Sequence, residues 1–535
     1  MRLVHLEIIE AASCGGLLDG FSVDLYRPPT ESNQVLRPIC LLGPNGSGKS
    51  QFLQIVAEIF QAAWHTHRSE EERQDSNPGL LFKLAYEVAE AEGSASQRVR
   101  ISRTSETKPR GAVQMELHDG DEYTVVESSS SNEYGKYLPA AVVGYTSGDN
   151  ETLSLPFSVS RSEYAEAVGN AAMPDAERNA SVPDNRLLLI DYGTHLEVLI
   201  ANLMIGDPNL RSALIEHANL DSLSSWRCII QLNHPGSPNA PRGATTGRKG
   251  IQLTQELERY IDQLKRCSTS WEYQEKPEVY TFDFLVDEES REAFRSFWES
   301  PSHLYRSIHK LAMLNDLMIP KSARTRIKRD IEERHFAARL PEPQEESKVF
   351  RFEEVRFNKL NREGKPEQVD YVSLSDGEHQ QAQIFGMFAM MRDPTTLFLL
   401  DEPESHFNPL WRVKFLSRLT KLPIEGLSDQ EIVLTSHAPF VASDLSRDHV
   451  RIFAKLDGKL RSSKPEIETF GATFDSILNH CFSVEPPISQ LAREEIERLK
   501  SQGTVKEIEK ALMSIGSSVE RALLADRLRS LKADI

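Results

Sequence analysis

The first sixty residues change their hydrophobic rhythm twice. Apolar and polar positions alternate over residues 3–9 and again over 21–26, with a Gly-Gly turn between, which predicts a β-hairpin. The run "RPICLL" then predicts a short buried strand. Beyond the Gly-rich stretch "GPNGSGKS", residues Phe52, Ile55, Val56, Ile59 and Phe60 recur at the i, i+3, i+4, i+7, i+8 spacing of one helical face. A mixed pattern follows over 62–370. It is interrupted by the polar stretches "HRSEEERQDSNPG" and "NHPGSPNAPRGATTGRKG", which read as surface loops or disorder, and it predicts helices at 252–266 and 290–315 and a strand at Val279–Leu285. From 371 the order becomes helix (377–391), apolar strand (397–400), helix (409–422) and strand (432–435). Such alternation predicts a largely parallel sheet covered by helices. The stretch 490–531 is helical and charged, broken by Gly503 and Gly516. No heptad persists over several turns, so a long coiled-coil arm is not expected.

Three short stretches carry chemistry on this scaffold. "GPNGSGKS" fits the phosphate-loop pattern in full and stands where that pattern requires, between a strand and a helix. Gly43, Pro44, Asn45, Gly46, Ser47 and Gly48 would wrap phosphates with backbone N–H groups, Lys49 would reach the β/γ-phosphates of ATP, Ser50 would hold Mg²⁺, and Gln51 completes the first helical contacts. "TLFLLDEPE" ends a buried strand in two acids: Asp401 as a Mg²⁺ ligand and Glu402 as the group that orients or deprotonates water. Such a pair could instead be charge at a helix N-terminus, a reading that the phosphate loop upstream makes the lesser one. "VLTSHAPF" places His437 just past a further strand, where an imidazole either touches a γ-phosphate or serves structure.

Composition narrows the class. No apolar run reaches the roughly 20 residues that cross a bilayer, and the N-terminus lacks the order of a secretion signal, so a cytoplasmic protein without a membrane partner is expected. Five scattered cysteines, none in a C-x-x-C pair, indicate neither a disulfide framework nor a zinc hook. A net charge of −18 argues against coating nucleic acid by bulk attraction, while a local basic face leaves DNA binding open.

The order of a phosphate loop, "SLSDGE", a hydrophobic strand ending in Asp-Glu, and Ser-His after the next strand resembles the ABC-type ATPase heads of SMC-like and DNA-repair ATPases. That resemblance implies an α/β head with a mixed, largely parallel sheet. Its parts would be an N-terminal lobe with the phosphate loop (1–61), a polar strand and loop region (62–137), a large α-rich globular insertion (138–370), a C-terminal lobe (371–485) and a helical tail (486–535). It also implies that Ser375, Gly377 and Glu378 are presented to the ATP held by a second copy, giving a homodimer around two nucleotides. In the stretch "SHFNP", Asn408 stands where many relatives carry Asp, facing the partner head. The glutamine-bearing loop of the family falls after "AAVVGY", where Asn150 is the nearest substitute.

Finer likeness lies in "ICLLGPNGSGKSQFLQIVAEIF", "VVGYTSGDNETLSLPF" and "SLSDGEHQQAQIFG", which resemble the ATPase-subunit family of Septu-type anti-phage systems, the PtuA family of restriction system-associated ATPases. It implies a higher homo-oligomer and a separate small HNH nuclease subunit (PtuB-like). No nuclease domain of the chain's own is expected, since little follows Val450 beyond a strand or two and helices. The alternative is a stand-alone DNA repair or recombination ATPase of the RecF/SMC-like type, acting as a DNA clamp. Lys321, Arg324, Arg326, Lys328, Arg329, Arg334 and Arg339 would track a DNA backbone in that case. Interleaved Asp330, Glu332 and Glu333 equally suit a solvated helix. Ile496, Leu499, Ile508, Leu512, Leu523 and Leu528 form either a core cap or a docking face.

Overall fold

In a computed structural model of the chain, the N-terminal hairpin is β1 (Arg2–Ala11) paired antiparallel with β2 (Phe21–Asp24). The structure describes all residues except 28–37, 90–95, 108–110, 120–121, 128–132, 149–150, 172–180, 192, 234–250, 276–277, 333–342, 362, 425–426, 428–429, 457, 486–487 and 534–535. With β4 (Leu80–Ala89), β5 (Ser96–Arg103), β6 (Gln114–Asp119) and β7 (Glu122–Val126), the hairpin forms an antiparallel sheet of order β2-β1-β4-β5-β6-β7.

A second sheet contains β3 (Ile39–Leu42), β8 (Val142–Thr146), β9 (Leu187–Ile190), β15 (Leu397–Asp401), β16 (Glu431–Ser436), β17 (Val450–Leu456) and β18 (Lys459–Ser463), in the order β18-β17-β3-β16-β15-β8-β9. All its pairings are parallel except that of the edge strand β18. The mixed, largely parallel sheet expected from the alternating elements is therefore present.

The helix Lys49–His67 shares one core with both sheets, which is why its burial exceeds the predicted face: Leu53, Ala57, Ala62 and Ala63 are buried along with Phe52, Ile55, Val56, Ile59 and Phe60. A helix with apolar neighbours on two sides has no solvent stripe to keep polar. Phe52 packs edge-on against Phe453 of β17 at 5.4 Å between ring centroids, and its truncation to Ala would cost about 3–5 kcal/mol. The two sheets are also tied by Glu431 at the start of β16, which accepts from both Leu3 N–H (3.1 Å) and the buried Arg27 guanidinium (2.6 and 2.8 Å).

Residues 138–370 carry helices, as expected of them, and strands as well. Two of their strands, β8 and β9, belong to the parallel sheet. Five others, β10 (Ser222–Gln231), β11 (Ser270–Gln274), β12 (Val279–Leu285), β13 (Phe350–Leu360) and β14 (Pro366–Asp370), counting the shared boundary, build an antiparallel sheet of order β11-β12-β10-β13-β14. β12 is the strand expected at Val279–Leu285, and the others were hard to see because their pairing is non-local: β10 lies between β12 and β13, far along the chain. Trp226 of β10 stacks on Phe284 of β12 at 3.8 Å, packing that face. The single helix expected over 290–315 is two, Glu288–Arg295 and Pro301–Ala312, because Ser300 caps the second and Pro301 opens it.

Residues 472–535 form a separate unit that begins at the helix Phe474–Phe482, earlier than the expected tail. Leu499, Ile508 and Leu524 make its small core. Leu524 rather than Leu523 points inward; Leu523 is exposed, a one-residue offset that the helical spacing alone did not fix. Gly503 ends the helix Gln490–Gln502, and a Cβ there would meet Leu499 O at 2.5 Å.

Candidate nucleotide site

The phosphate loop leaves β3 at Leu42 and enters the helix at Lys49, and its glycines have separate reasons. Gly43 sits at φ 147°, where a Cβ would meet the Phe453 carbonyl at 2.2 Å, so no side chain fits. Gly46 and Gly48 are left-handed, and the position of a Cβ on Gly46 faces open space. Pro44, Asn45 and Gly46 are exposed, whereas Ser47, Gly48 and Lys49 are buried and Ser50 and Gln51 half-buried. The Ser47 hydroxyl is buried with no hydrogen-bond partner among the described residues.

Lys49 Nζ donates to the Gly43 carbonyl (2.9 Å) and the Pro44 carbonyl (3.1 Å) and approaches His437 Nδ1 at 3.5 Å. Burial pushes its ammonium down to about 8, with Glu402 and Asp401 opposing that shift.

Asp401 ends β15, buried. The Thr435 hydroxyl of β16 donates to Asp401 Oδ1 at 2.5 Å and accepts from the Glu402 N–H at 3.0 Å. Burial raises the Asp401 carboxyl above its ordinary range, and the hydroxyls of Thr435 and Ser50 work against the rise. Ser50 and Asp401 are thus neighbours, as a shared Mg²⁺ requires. Glu402 turns out of the strand at φ 48° and meets His437 Nε2 at 2.8 Å. That hydrogen bond, before any other cause, holds the Glu402 carboxyl below the usual range. The Glu402 carboxylate can only accept, so His437 Nε2 carries a proton and donates it there.

The Ser375 turn is built differently. Ser375 is exposed, and its N–H and hydroxyl both donate to Glu378 Oε2 at 2.8 Å, fixing the first turn of the helix Asp376–Met390. Gly377 lies under the segment that follows the acids: a Cβ would meet His406 O at 3.0 Å and the Trp411 ring at 3.4 Å. Asn408 caps the helix Pro409–Thr420 by accepting from Trp411 N–H at 3.0 Å. His406 donates to Ser147 O, at 2.8 Å, just beyond β8. Asn150, named above for that loop, lies outside the described residues. A cavity of about 830 Å³ opens here, walled by Ser147, Asp191, His195, Arg351, Asp376 and His379 among others, and none of its wall comes from the phosphate loop.

Sequence reasoning passed over three residues that the structure brings into this centre: Thr435, Ser436 and Glu404. The Ser436 hydroxyl meets the buried Glu404 carboxyl, which burial pushes up to about 7. Their one signal was position, hydroxyls immediately before His437 and a third acid after Asp-Glu. In the basic run, Arg324 lies 3.9 Å from Glu166 of the helix Glu151–Ala171, Arg326 and Arg329 are exposed, and Arg334 and Arg339 lie outside the described residues.

Residues 263–444, about a third of the chain, match the family model described as "AAA domain, putative AbiEii toxin, Type IV TA system". The matched stretch holds Ser375, Asp401, Glu402 and His437. None of the curated proteins matches. Among solved structures, an SMC head domain from Thermotoga maritima is similar at 12% identity, covering 87% of this chain and 100% of that one, with a TM-score of 0.33. By that match, residues 263–444 are similar to an AAA domain, and they contribute the strands Leu397–Asp401 and Glu431–Ser436 to the largely parallel sheet. No helix among the described residues is long and apolar enough to cross a membrane.

Proposed function

We propose that the chain binds and hydrolyses ATP, with Gly43–Gln51 as the phosphate cradle and Glu402 as the group that orients or deprotonates the attacking water. The observation that carries this reading is convergence. Lys49, Asp401, Glu402 and His437 come from three distant stretches and meet at the ends of adjacent strands, with Lys49 within 3.5 Å of His437 and His437 within 2.8 Å of Glu402. ATP and Mg²⁺ fit the residues present, because the Ser47 hydroxyl is buried and unanswered and the Gly46 surface is open. Ser50 and Asp401 would hold the Mg²⁺, which supplies positive charge to the phosphates. Glu402, ionised and half exposed, is free to take a proton from water, and His437 keeps it aimed.

Ser375, exposed at a helix mouth, would complete the site of a second copy, giving a homodimer through the ATPase heads and from it a higher oligomer. On the resemblance of its three sequence stretches, the chain is the regulatory ATPase of a Septu-type anti-phage system, controlling or recruiting a separate HNH nuclease. The description of the matched family, which names a toxin–antitoxin system, suits a protein that works with a partner.

The test is to tag the chain in its native operon and weigh what co-purifies, with and without ATP. Several copies with a small nuclease support the reading. A lone chain that dimerises with ATP and holds DNA replaces it with a stand-alone clamp. Failure of the purified chain to bind ATP overturns both.

A further inference from the structure

We propose that the two hydroxyls ending β16 are positioning residues of the ATPase centre: Thr435 fixes the step from Asp401 to Glu402, and Ser436, held with Glu404, fixes the turn carrying His437. The inference rests on the ATPase reading and extends it to residues buried behind the proposed catalytic groups.

Strand register makes the arrangement. β15 and β16 run parallel with Leu400 opposite Leu434, so the next residues, Asp401 and Thr435, lie side by side at the end of that pairing while still paired to β8 and β3. At that point the backbone of Glu402 swings to φ 48°, a left-handed conformation that a β-carbon disfavours and that lifts its N–H out of the ladder. The Thr435 hydroxyl receives that N–H at 3.0 Å and spends its own proton on Asp401 Oδ1 at 2.5 Å. One side chain therefore satisfies the displaced amide of the proposed base and orients the proposed metal ligand. Thr435 and Ser436 are both fully buried, so their effect must pass through the groups they hold.

Ser436 does the same for the other partner. Its hydroxyl accepts from Ala438 N–H at 3.0 Å, closing the turn in which His437 sits, and meets the buried Glu404. Glu402 and His437 are then presented to each other by two hydroxyls from consecutive residues of one central strand.

The experiment compares full-length Thr435→Val, Thr435→Ser and Ser436→Ala. Valine keeps the shape and removes both hydrogen bonds; serine keeps the hydroxyl. A small displacement of a catalytic group lowers turnover steeply, so Thr435→Val is expected to lose about 10- to 100-fold in kcat while its affinity for a fluorescent ATP analogue stays within about threefold. Thr435→Ser should restore kcat to within about threefold. Crystal structures of the wild type and Thr435→Val supply a readout that needs no turnover. In the variant Glu402 is expected to leave its left-handed φ and His437 to part from it. If Thr435→Val keeps wild-type kcat, or keeps the Glu402 backbone and the His437 contact unchanged, the positioning role is wrong. A wild type without turnover whose Glu402 relaxes in the variant would sink the ATPase reading and leave the geometric role standing.

Discussion

The phosphate-loop half of the centre and the Ser375 half are built on opposite plans. In the first, Lys49 and Asp401 are at least 95% buried and bonded from within the chain, Lys49 to the Gly43 and Pro44 carbonyls and Asp401 to the Thr435 hydroxyl, while among the described residues the buried Ser47 hydroxyl and Glu404 Oε2 have no partner. In the second, Ser375 and Asp376 are exposed, Val372 beside them is 82% exposed, and the Ser375 N–H and hydroxyl both go to the Glu378 carboxylate of the same turn. Buried polar groups hold one geometry because losing a partner is expensive; exposed ones can exchange partners cheaply. The first half is finished inside one chain. The second presents an exposed surface, the one that the proposed homodimer would use.

The largest effect should come from the finished half. Glu402→Gln removes the proposed base and leaves the loop intact, so turnover should fall about 100- to 1000-fold while ATP affinity holds, measured by phosphate release and by a fluorescent analogue. Lys49→Ala should instead abolish binding. If both variants lose binding equally, the division of labour between loop and acids is wrong.

Ser375→Arg probes the other half. Ser375 caps the helix Asp376–Met390, so the substitution should cost about 1 kcal/mol of stability, while the ATP affinity of dilute chain should hardly move. ATP-dependent dimerisation and turnover should fall about 10- to 100-fold, followed by light scattering and phosphate release. Loss of ATP affinity in the dilute monomer would instead place Ser375 in the same chain's site.

Much of the first half was legible from residues alone, since a phosphate loop needs Gly43, Gly48, Lys49 and Ser50 at fixed spacing between a strand and a helix, and the structure supplies both flanks. The acids after an apolar strand were legible for the same reason. What escaped was set by neighbours in space. The hydroxyls of Thr435 and Ser436 read as ordinary strand-end residues until parallel pairing lays them beside Asp401 and Glu404. The antiparallel sheet within 138–370 escaped because β10 pairs with strands about fifty and well over a hundred residues away, and short apolar runs do not reveal their partners.

A pH experiment sharpens the contrast between buried and exposed acids. Burial raises the Glu404 carboxyl from 4.5 to about 7, so the folded chain keeps a proton that the unfolded chain gives up. Its contribution to stability is full below about 4.5 and is lost as pH rises through 7. Glu404→Gln imitates the protonated form at every pH. Wild type should therefore lose up to about 3 kcal/mol relative to the variant between pH 4.5 and 7, seen in urea unfolding at pH 5 and pH 8. Parallel curves would mean that Glu404 is ionised in the folded chain.

The smallest effect concerns a residue with a foot in each half. Asn408 caps the helix Pro409–Thr420, and the same segment packs over Gly377. Asn408→Ala should cost about 1 kcal/mol, the usual loss for a cap. Asn408→Asp keeps an acceptor for the Trp411 N–H and adds negative charge at a positive helix end, so stability should hold or rise by a few tenths of a kcal/mol. Capping therefore does not require the amide here. If the aspartate variant melts like wild type yet dimerises or turns over differently with ATP, then Asn408 is read by the surface across from it, and the half built on Ser375 extends through this residue. If both properties match wild type, Asn408 serves its own helix alone and the partner-facing surface ends at the Ser375 turn.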